Sequence, residues 1–348
     1  MNAIDKLDQT AALPVDQLGR SLHDLRISVM DRCNFRCPYC MPESTYGEHF
    51  NFLRNDERLS FDEIERLCRL AATLGVSKLR LTGGEPLLRS HLAELVERLR
   101  RLDGITDLAL TTNGVLLARH AAELRDAGLD RVTISLDTLD PALFHHMSGG
   151  RGALDDVLAG IDAAQAAGFP HGVKLNTVVQ RDVNEHTVID LLERFRGSGI
   201  VVRFIEYMDV GNRNDWHADQ VVPSATLVQR IHARWPLRAV LPKYAGEVAT
   251  RYRFEDGAGE IGMISSISQP FCGGCTRARL SSEGMLYTCL FATQGADLRG
   301  PLRAGASDEA LTDLLRQTWL GRHDRYSEER AEHHGKAPRK IEMHYIGG

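Results

Sequence analysis

Short runs of aliphatic and β-branched residues alternate with stretches of helical periodicity through the first two thirds of the chain. The runs lie at residues 25–29, 78–83, 107–112, 131–137, 173–179 and 201–208. Between them, apolar positions recurring every three or four residues predict helices over 61–74, 91–102, 117–127, 153–167 and 187–195, with Gly75, Gly128 and Gly168 as helix stops. Strand and helix in strict alternation mean parallel β-α units joined by right-handed crossovers. Six such units suit either an open doubly wound sheet or an incomplete barrel, and in both the chemistry is expected at the carboxyl ends of the strands.

The pattern changes at about Ala225. A helix is predicted over 225–235, then an extended pair, 248–254 and 260–268, across 257–259. Residues 278–281 and 285–290 read as a hairpin around Ser282-Glu283-Gly284. A helix over 308–318 precedes a charged stretch with several histidines and a Gly-Gly end. The expected organisation is an N-terminal extension (1–20), a partial barrel (21–224) and a less regular region (225–348).

Composition narrows the function classes. A 43% hydrophobic and 26% charged chain of 348 residues buries a core and is not disordered. Lys+Arg at 42 against Asp+Glu at 47 argue against a protein that grips a nucleic-acid backbone through bulk charge. The amino terminus lacks the apolar core of a secretory signal and no run approaches membrane-spanning length, so the expected place is the cytoplasm, with no membrane partner. Seven cysteines in that compartment are not disulfides.

Their spacing is Cys33-x3-Cys37-x2-Cys40, then Cys272-x2-Cys275-x13-Cys289, with Cys68 alone in a predicted helix as a small apolar residue. Three thiolates in eight residues imply a metal. Zinc needs a fourth ligand, for which His23 and His49 stand near the first trio and His333, His334 and His344 could serve the second. A 4Fe-4S cluster on three thiolates instead leaves one iron open for a substrate. Thr82-Gly83-Gly84-Glu85-Pro86 closes the second run, where glycines admit a ligand near the backbone and Glu85 can pair with an ammonium. Arg277 and Arg279, alternate on a strand beside the second trio, can grip a polyanion. No phosphate-cradling Gly-x4-Gly-Lys-Ser/Thr is present, so a triphosphate has to be held by side-chain cations.

The first trio, with Tyr39 before its last cysteine, resembles the signature of the radical S-adenosylmethionine superfamily. Both trios, Arg277-Ala278-Arg279, Asp297-Leu298-Arg299, Leu302-Arg303 and Gly347-Gly348 together resemble the GTP 3',8-cyclase family of molybdenum cofactor biosynthesis, from about residue 25 to the end. That resemblance implies an α/β fold: an incomplete (β/α)6 TIM-type barrel with a smaller C-terminal α+β region carrying a second iron-sulfur cluster. It implies two 4Fe-4S clusters, one on Cys33, Cys37 and Cys40 and one on Cys272, Cys275 and Cys289. S-adenosyl-L-methionine would meet Tyr39, Gly84, Ser135 and Met208, and GTP would meet Arg26, Arg80, Thr111, Lys174, Arg277 and Arg279. The implied reaction begins with reductive cleavage of S-adenosylmethionine, removes the ribose 3' hydrogen of GTP and closes the carbon onto C8, giving 3',8-cyclo-7,8-dihydro-GTP. The implied partners are an electron donor and a downstream cyclic pyranopterin monophosphate synthase, for a monomer or homodimer whose Gly-Gly tail enters the site. Two other readings stand beside it: a radical enzyme acting on a peptide, and a non-enzymatic module with zinc at both trios.

Overall fold

The structure, a computed structural model, describes residues 13–244, 246–332 and 339–347. Six strands, β1 (Asp24–Ser28), β2 (Lys78–Thr82), β3 (Asp107–Thr112), β4 (Arg131–Ser135), β5 (Val173–Val179) and β6 (Val201–Glu206), follow one another in parallel in sequence order. A doubly wound sheet would reverse direction at its middle; this order does not, which defines the incomplete barrel. The helices between strands begin and end where their terminal residues satisfy the backbone. Ser60 forms a capping box with Glu63 at the head of Phe61–Thr73, and Gly168, at φ 71°, ends Leu154–Ala167.

Strand alternation sorts the side chains. On β5, Val173, Leu175, Thr177 and Val179 are buried, whereas Lys174, Asn176 and Val178 line the barrel interior. On β6, Val202, Phe204 and Glu206 are buried and Val201, Arg203 and Ile205 face the interior. Leu79, Leu81, Leu95, Leu99, Leu108 and Leu110 are among the fully buried residues of the one large core.

The C-terminal region extends both free edges of the same sheet. β7 (Leu237–Val240), β8 (Thr250–Phe254) and β9 (Glu260–Ile264) form an antiparallel set whose last strand joins β6 in parallel. β10 (Arg277–Leu280), β11 (Met285–Tyr287) and β12 (Ala296–Asp297) do the same at the other edge, with β10 parallel to β1. The expected extended pair and hairpin are therefore present; β7 and the short helix Pro141–Met147 are additional. The helix Asp308–Leu320 packs back on Phe61–Thr73, fixed by Arg66 to Asp308 at 2.7 Å and Arg66 to the Ala306 carbonyl at 2.7 Å. Among the described residues, no helix is long and apolar enough to cross a membrane.

Candidate active site

One cavity of about 880 Å³ runs through the barrel and is lined by both cysteine trios. Every residue expected at the site borders it: Tyr39, Gly84, Ser135, Met208, Arg26, Arg80, Thr111, Lys174, Arg277 and Arg279, besides the six cysteines. Cys68 is fully buried in its helix, apart from the cavity.

The two trios sit at opposite ends. Cys33, Cys37 and Cys40 lie on the loop that leaves the carboxyl end of β1. Cys275 lies just before β10, whose Arg277 is level with Asp24 at the amino end of the parallel β1, and the β10–β11 hairpin returns Cys289 to that end. The chemistry is thus not confined to the carboxyl ends, because β10 adds to the barrel in parallel with its preceding loop at the opposite rim. Five strand residues separate the rims, about 17 Å at 3.3 Å per residue.

Backbone packing shapes the first loop. Gly84 N–H donates to the Met30 carbonyl (2.7 Å) and Glu85 N–H to the Arg32 carbonyl (2.8 Å). A Cβ on Gly83, at φ 152°, would collide with Met30 O, and one on Gly84 with Arg32 O. The glycine pair is required by the cysteine loop itself. Glu85 does not face the cavity as an ammonium partner. Its carboxylate accepts from Leu87 N–H (3.0 Å), Thr112 Oγ1 (2.7 Å) and Asn113 N–H (2.8 Å), tying the end of β2 to the end of β3. Burial pushes this carboxyl up to about 7. Asn113 Nδ2 in turn reaches Asn34 Oδ1 (2.7 Å) and approaches Cys33 Sγ (3.8 Å). Tyr39 donates to Asp137 Oδ2 (2.7 Å), while Val178 N–H donates to Asp137 Oδ1 (2.8 Å), which fixes the ring over the cavity. Neither Asn113 nor Asp137 is prominent in the sequence; each matters through partners remote in the chain.

The donor sets fit iron-sulfur clusters better than zinc. A zinc ion with sulfurs at 2.3 Å places them about 3.8 Å apart. Among the described residues, only Asp107, Asp130 and His171 bring three potential ligand atoms within 4.8 Å of one another, so both cysteine trios are spread wider than zinc requires. Of the candidate fourth ligands that the structure describes, His344 borders the cavity but none completes a close-set group of ligand atoms with a cysteine trio. His23 bonds Ser77 (2.9 Å) beside the amino end of β1, His49 is exposed, and His344 packs edge-on against Tyr46 at 4.7 Å. His333 and His334 lie outside the described residues. Burial raises the thiols of Cys33, Cys37 and Cys40, so as thiolates they need a cation of their own. Burial also opposes ionisation of Cys275, but the guanidiniums of Arg277 and Arg322 outweigh it and hold that thiol at about 6. Arg277 Nη2 and Nε lie 3.1 and 3.3 Å from its sulfur.

Between the trios the interior is cationic. Arg279, Arg26 and Arg80 are directly opposite one another on β10, β1 and β2. Arg80 donates to Thr111 Oγ1 (2.8 Å) and Thr133 Oγ1 (3.2 Å); Arg203, absent from the sequence reading, donates to Thr133 from β6 (3.3 Å). The alternation of Val201, Arg203 and Ile205 was the available signal. Burial, then neighbouring cations, push Arg80 and Arg203 down to about 9 and Lys174 down to about 7. Such a set repels itself until an anion arrives. Arg279 also donates to the Gly347 carbonyl, and Gly347, at φ 73°, has Thr82 where a Cβ would stand. The tail therefore reaches the cavity, although Gly348 lies outside the described residues.

A partial parallel barrel with a three-cysteine loop after its first strand defines the radical S-adenosylmethionine class. The Radical SAM superfamily matches residues 27–195, and Molybdenum Cofactor Synthesis C matches residues 200–328. The chain belongs to the GTP 3',8-cyclase family. It is 56% identical to the GTP 3',8-cyclase of Xanthomonas campestris pv. campestris over 98% of this chain and 99% of that protein. For the enzymes of Acidothermus cellulolyticus and Staphylococcus aureus the identities are 52% and 46%, each over 96% of this chain and 98% of the relative. Streptococcus suis SuiB bound to precursor peptide SuiA shares the fold, with a TM-score of 0.57 at 16% identity over 86% of this chain and 65% of that chain.

Proposed function

We propose that this chain converts GTP to 3',8-cyclo-7,8-dihydro-GTP with S-adenosylmethionine, the first step of molybdenum cofactor biosynthesis. The observation that carries the reading is the single cavity that joins two three-cysteine sites across a row of buried arginines. Cys33, Cys37 and Cys40 would hold the first 4Fe-4S cluster, and Cys272, Cys275 and Cys289 the second. When bound at these cysteines, the first cluster would supply the electron for cleavage of S-adenosylmethionine, and the second would supply Lewis-acidic iron at the GTP end of the cavity.

The chain's own residues bind, orient and exclude water. Tyr39, Gly84, Ser135 and Met208 border the space for S-adenosylmethionine next to the first trio. Arg26, Arg80, Lys174, Arg277 and Arg279 compensate the triphosphate, and Thr111, bonded to Arg80, fixes the angle of that guanidinium. A substrate held at both ends presents one ribose face to the first site, an orientation worth far more than binding alone. The Gly347 tail on Arg279 narrows the cavity and keeps water from a reactive carbon. An external electron donor and a downstream cyclic pyranopterin monophosphate synthase complete the expected partners, for a monomer or homodimer in the cytoplasm.

The test is anaerobic reconstitution with iron and sulfide, an iron count with EPR, then incubation with dithionite, S-adenosylmethionine and GTP. Two clusters with GTP-dependent 5'-deoxyadenosine and cyclised nucleotide are expected. Two clusters with unchanged GTP would remove the substrate from the reading, and zinc in both sites would remove the radical chemistry.

A further inference from the structure

The segment before β1 and the turn after the helix Asp308–Leu320 meet in a buried charged frame. Asp16, Arg20 and Arg322 have side chains 0%, 2% and 2% exposed. Asp16 Oδ2 accepts from Arg20 Nε (2.5 Å) and lies 3.3 Å from Arg322 Nη1; its Oδ1 accepts from Arg20 N–H (2.9 Å) and Leu18 N–H (2.9 Å). Trp319 completes the frame, its indole N–H donating to the Arg20 carbonyl (2.9 Å) and its ring carrying the Arg322 guanidinium at 4.6 Å.

Both arginines reach the second cysteine loop. Arg20 Nη1 donates to the Cys272 carbonyl (2.8 Å) and the Asp324 carbonyl (2.9 Å), and Arg322 Nη1 donates to the Cys275 carbonyl (2.6 Å). Asp324 accepts from Thr288, next to Cys289, at 2.6 Å. All three cysteines are thus tied to one frame, and Arg322 also borders the cavity. Asp324 places a second carboxylate 3.5 Å from Arg322 Nε, but it is 30% exposed and its charge is partly screened, so a further buried negative group beside the two guanidiniums would offset what Asp16 and Asp324 leave. A cluster held by three thiolates is such a group, and its potential responds to nearby charge and hydrogen bonding.

We infer that Arg20 and Arg322, aligned by Asp16, are positioning residues of the second metal site that set the reduction potential of its cluster. The inference rests on the reading that Cys272, Cys275 and Cys289 hold an iron-sulfur cluster. Reduction adds negative charge, so a buried cation stabilises the reduced state and raises the potential, whereas a buried anion lowers it.

The experiment uses the full chain with Cys33, Cys37 and Cys40 replaced by Ala, so that only the second cluster is reconstituted, and follows its midpoint potential by EPR-monitored redox titration beside an iron count. Arg322→Gln is expected to move the potential negative and Asp16→Asn to move it positive, with Arg322→Lys close to the parent. A merely supportive frame would lower iron content in both variants without opposite shifts. Opposite shifts support the inference; shifts of one sign, or none, overturn it. If Arg322→Gln fails to retain iron, Arg20→Gln, expected to move the potential negative as well, against Asp16→Asn carries the same comparison. Absence of iron from the parent itself would sink the cluster reading, a result separate from any change in potential.

Discussion

Arg26 and Arg80 stand directly opposite each other on neighbouring parallel strands, and Arg279 flanks Arg26 on the other side. Like charges directly opposed across a sheet cost about 0.2–1 kcal/mol per pair, and more where water is scarce. Arg26→Met is therefore expected to raise the stability of the substrate-free protein by about 0.5–1 kcal/mol while weakening GTP binding at least about tenfold. Thermal unfolding without nucleotide and calorimetric titration with GTP read the two effects; a variant that loses both would contradict the argument.

Lys174 gives the pH dependence a sign. Its ammonium is held at about 7 by burial and by Arg203, Arg131 and Arg80, so it is charged below that pH and neutral above it. A bound triphosphate favours the charged form. Affinity for GTP should fall about tenfold between pH 6 and 8, the change expected when binding takes only the protonated form. Lys174→Arg, which stays protonated throughout, should flatten the profile. A wild-type profile already flat would show that Lys174 does not meet the nucleotide.

Glu85→Gln changes neither size nor shape, yet it puts an amide NH2 against a backbone donor. The carboxylate receives three donors, from Leu87, Thr112 and Asn113. One of them would be left unmet, at a cost of about 1–3 kcal/mol. Because Asn113 also borders Cys33, iron in the first site should fall with it while the second site keeps its iron. Unfolding curves and an iron count in variants lacking one trio distinguish the two sites.

Gly84→Ala tests whether the glycine pair serves the loop or only a ligand. The added methyl meets the Arg32 carbonyl, which cannot swing away as a side chain would. A loss of about 1–3 kcal/mol of stability is expected even without S-adenosylmethionine, together with poorer cluster loading. Unchanged melting with impaired S-adenosylmethionine binding would assign the glycine to the ligand alone.

Much of the barrel was legible in the chain. Period-two strands and period-3.6 helices are local patterns, so the six β-α units and the hairpin before Cys289 could be read from them. The cysteine trios were equally plain, because metal-binding loops compress their ligands into short spacings. Arg203, Asp137 and Asn113 were not. Alternation puts Arg203 on one face of β6 without saying that this face is the cavity, and Asp137 and Asn113, just past the ends of β4 and β3, owe their roles to partners elsewhere in the chain. Glu85 went the other way: its position beside two glycines suggested a ligand partner, and only the packing of β2 against β3 turned the carboxylate inward.

The amino-acid sequence by itself determined the family, the parallel β-α units and the two trios, since all of these are written in short-range spacing. Tertiary structure alone decided that β9 and β10 join the two edges of the barrel, which puts the second trio at the rim opposite the first. It also decided that Asp16 and Arg20, far from the second trio in the chain, frame that site. Long-range pairing is set by which faces bury together and which strand edges find hydrogen-bond partners, and that choice belongs to the whole fold.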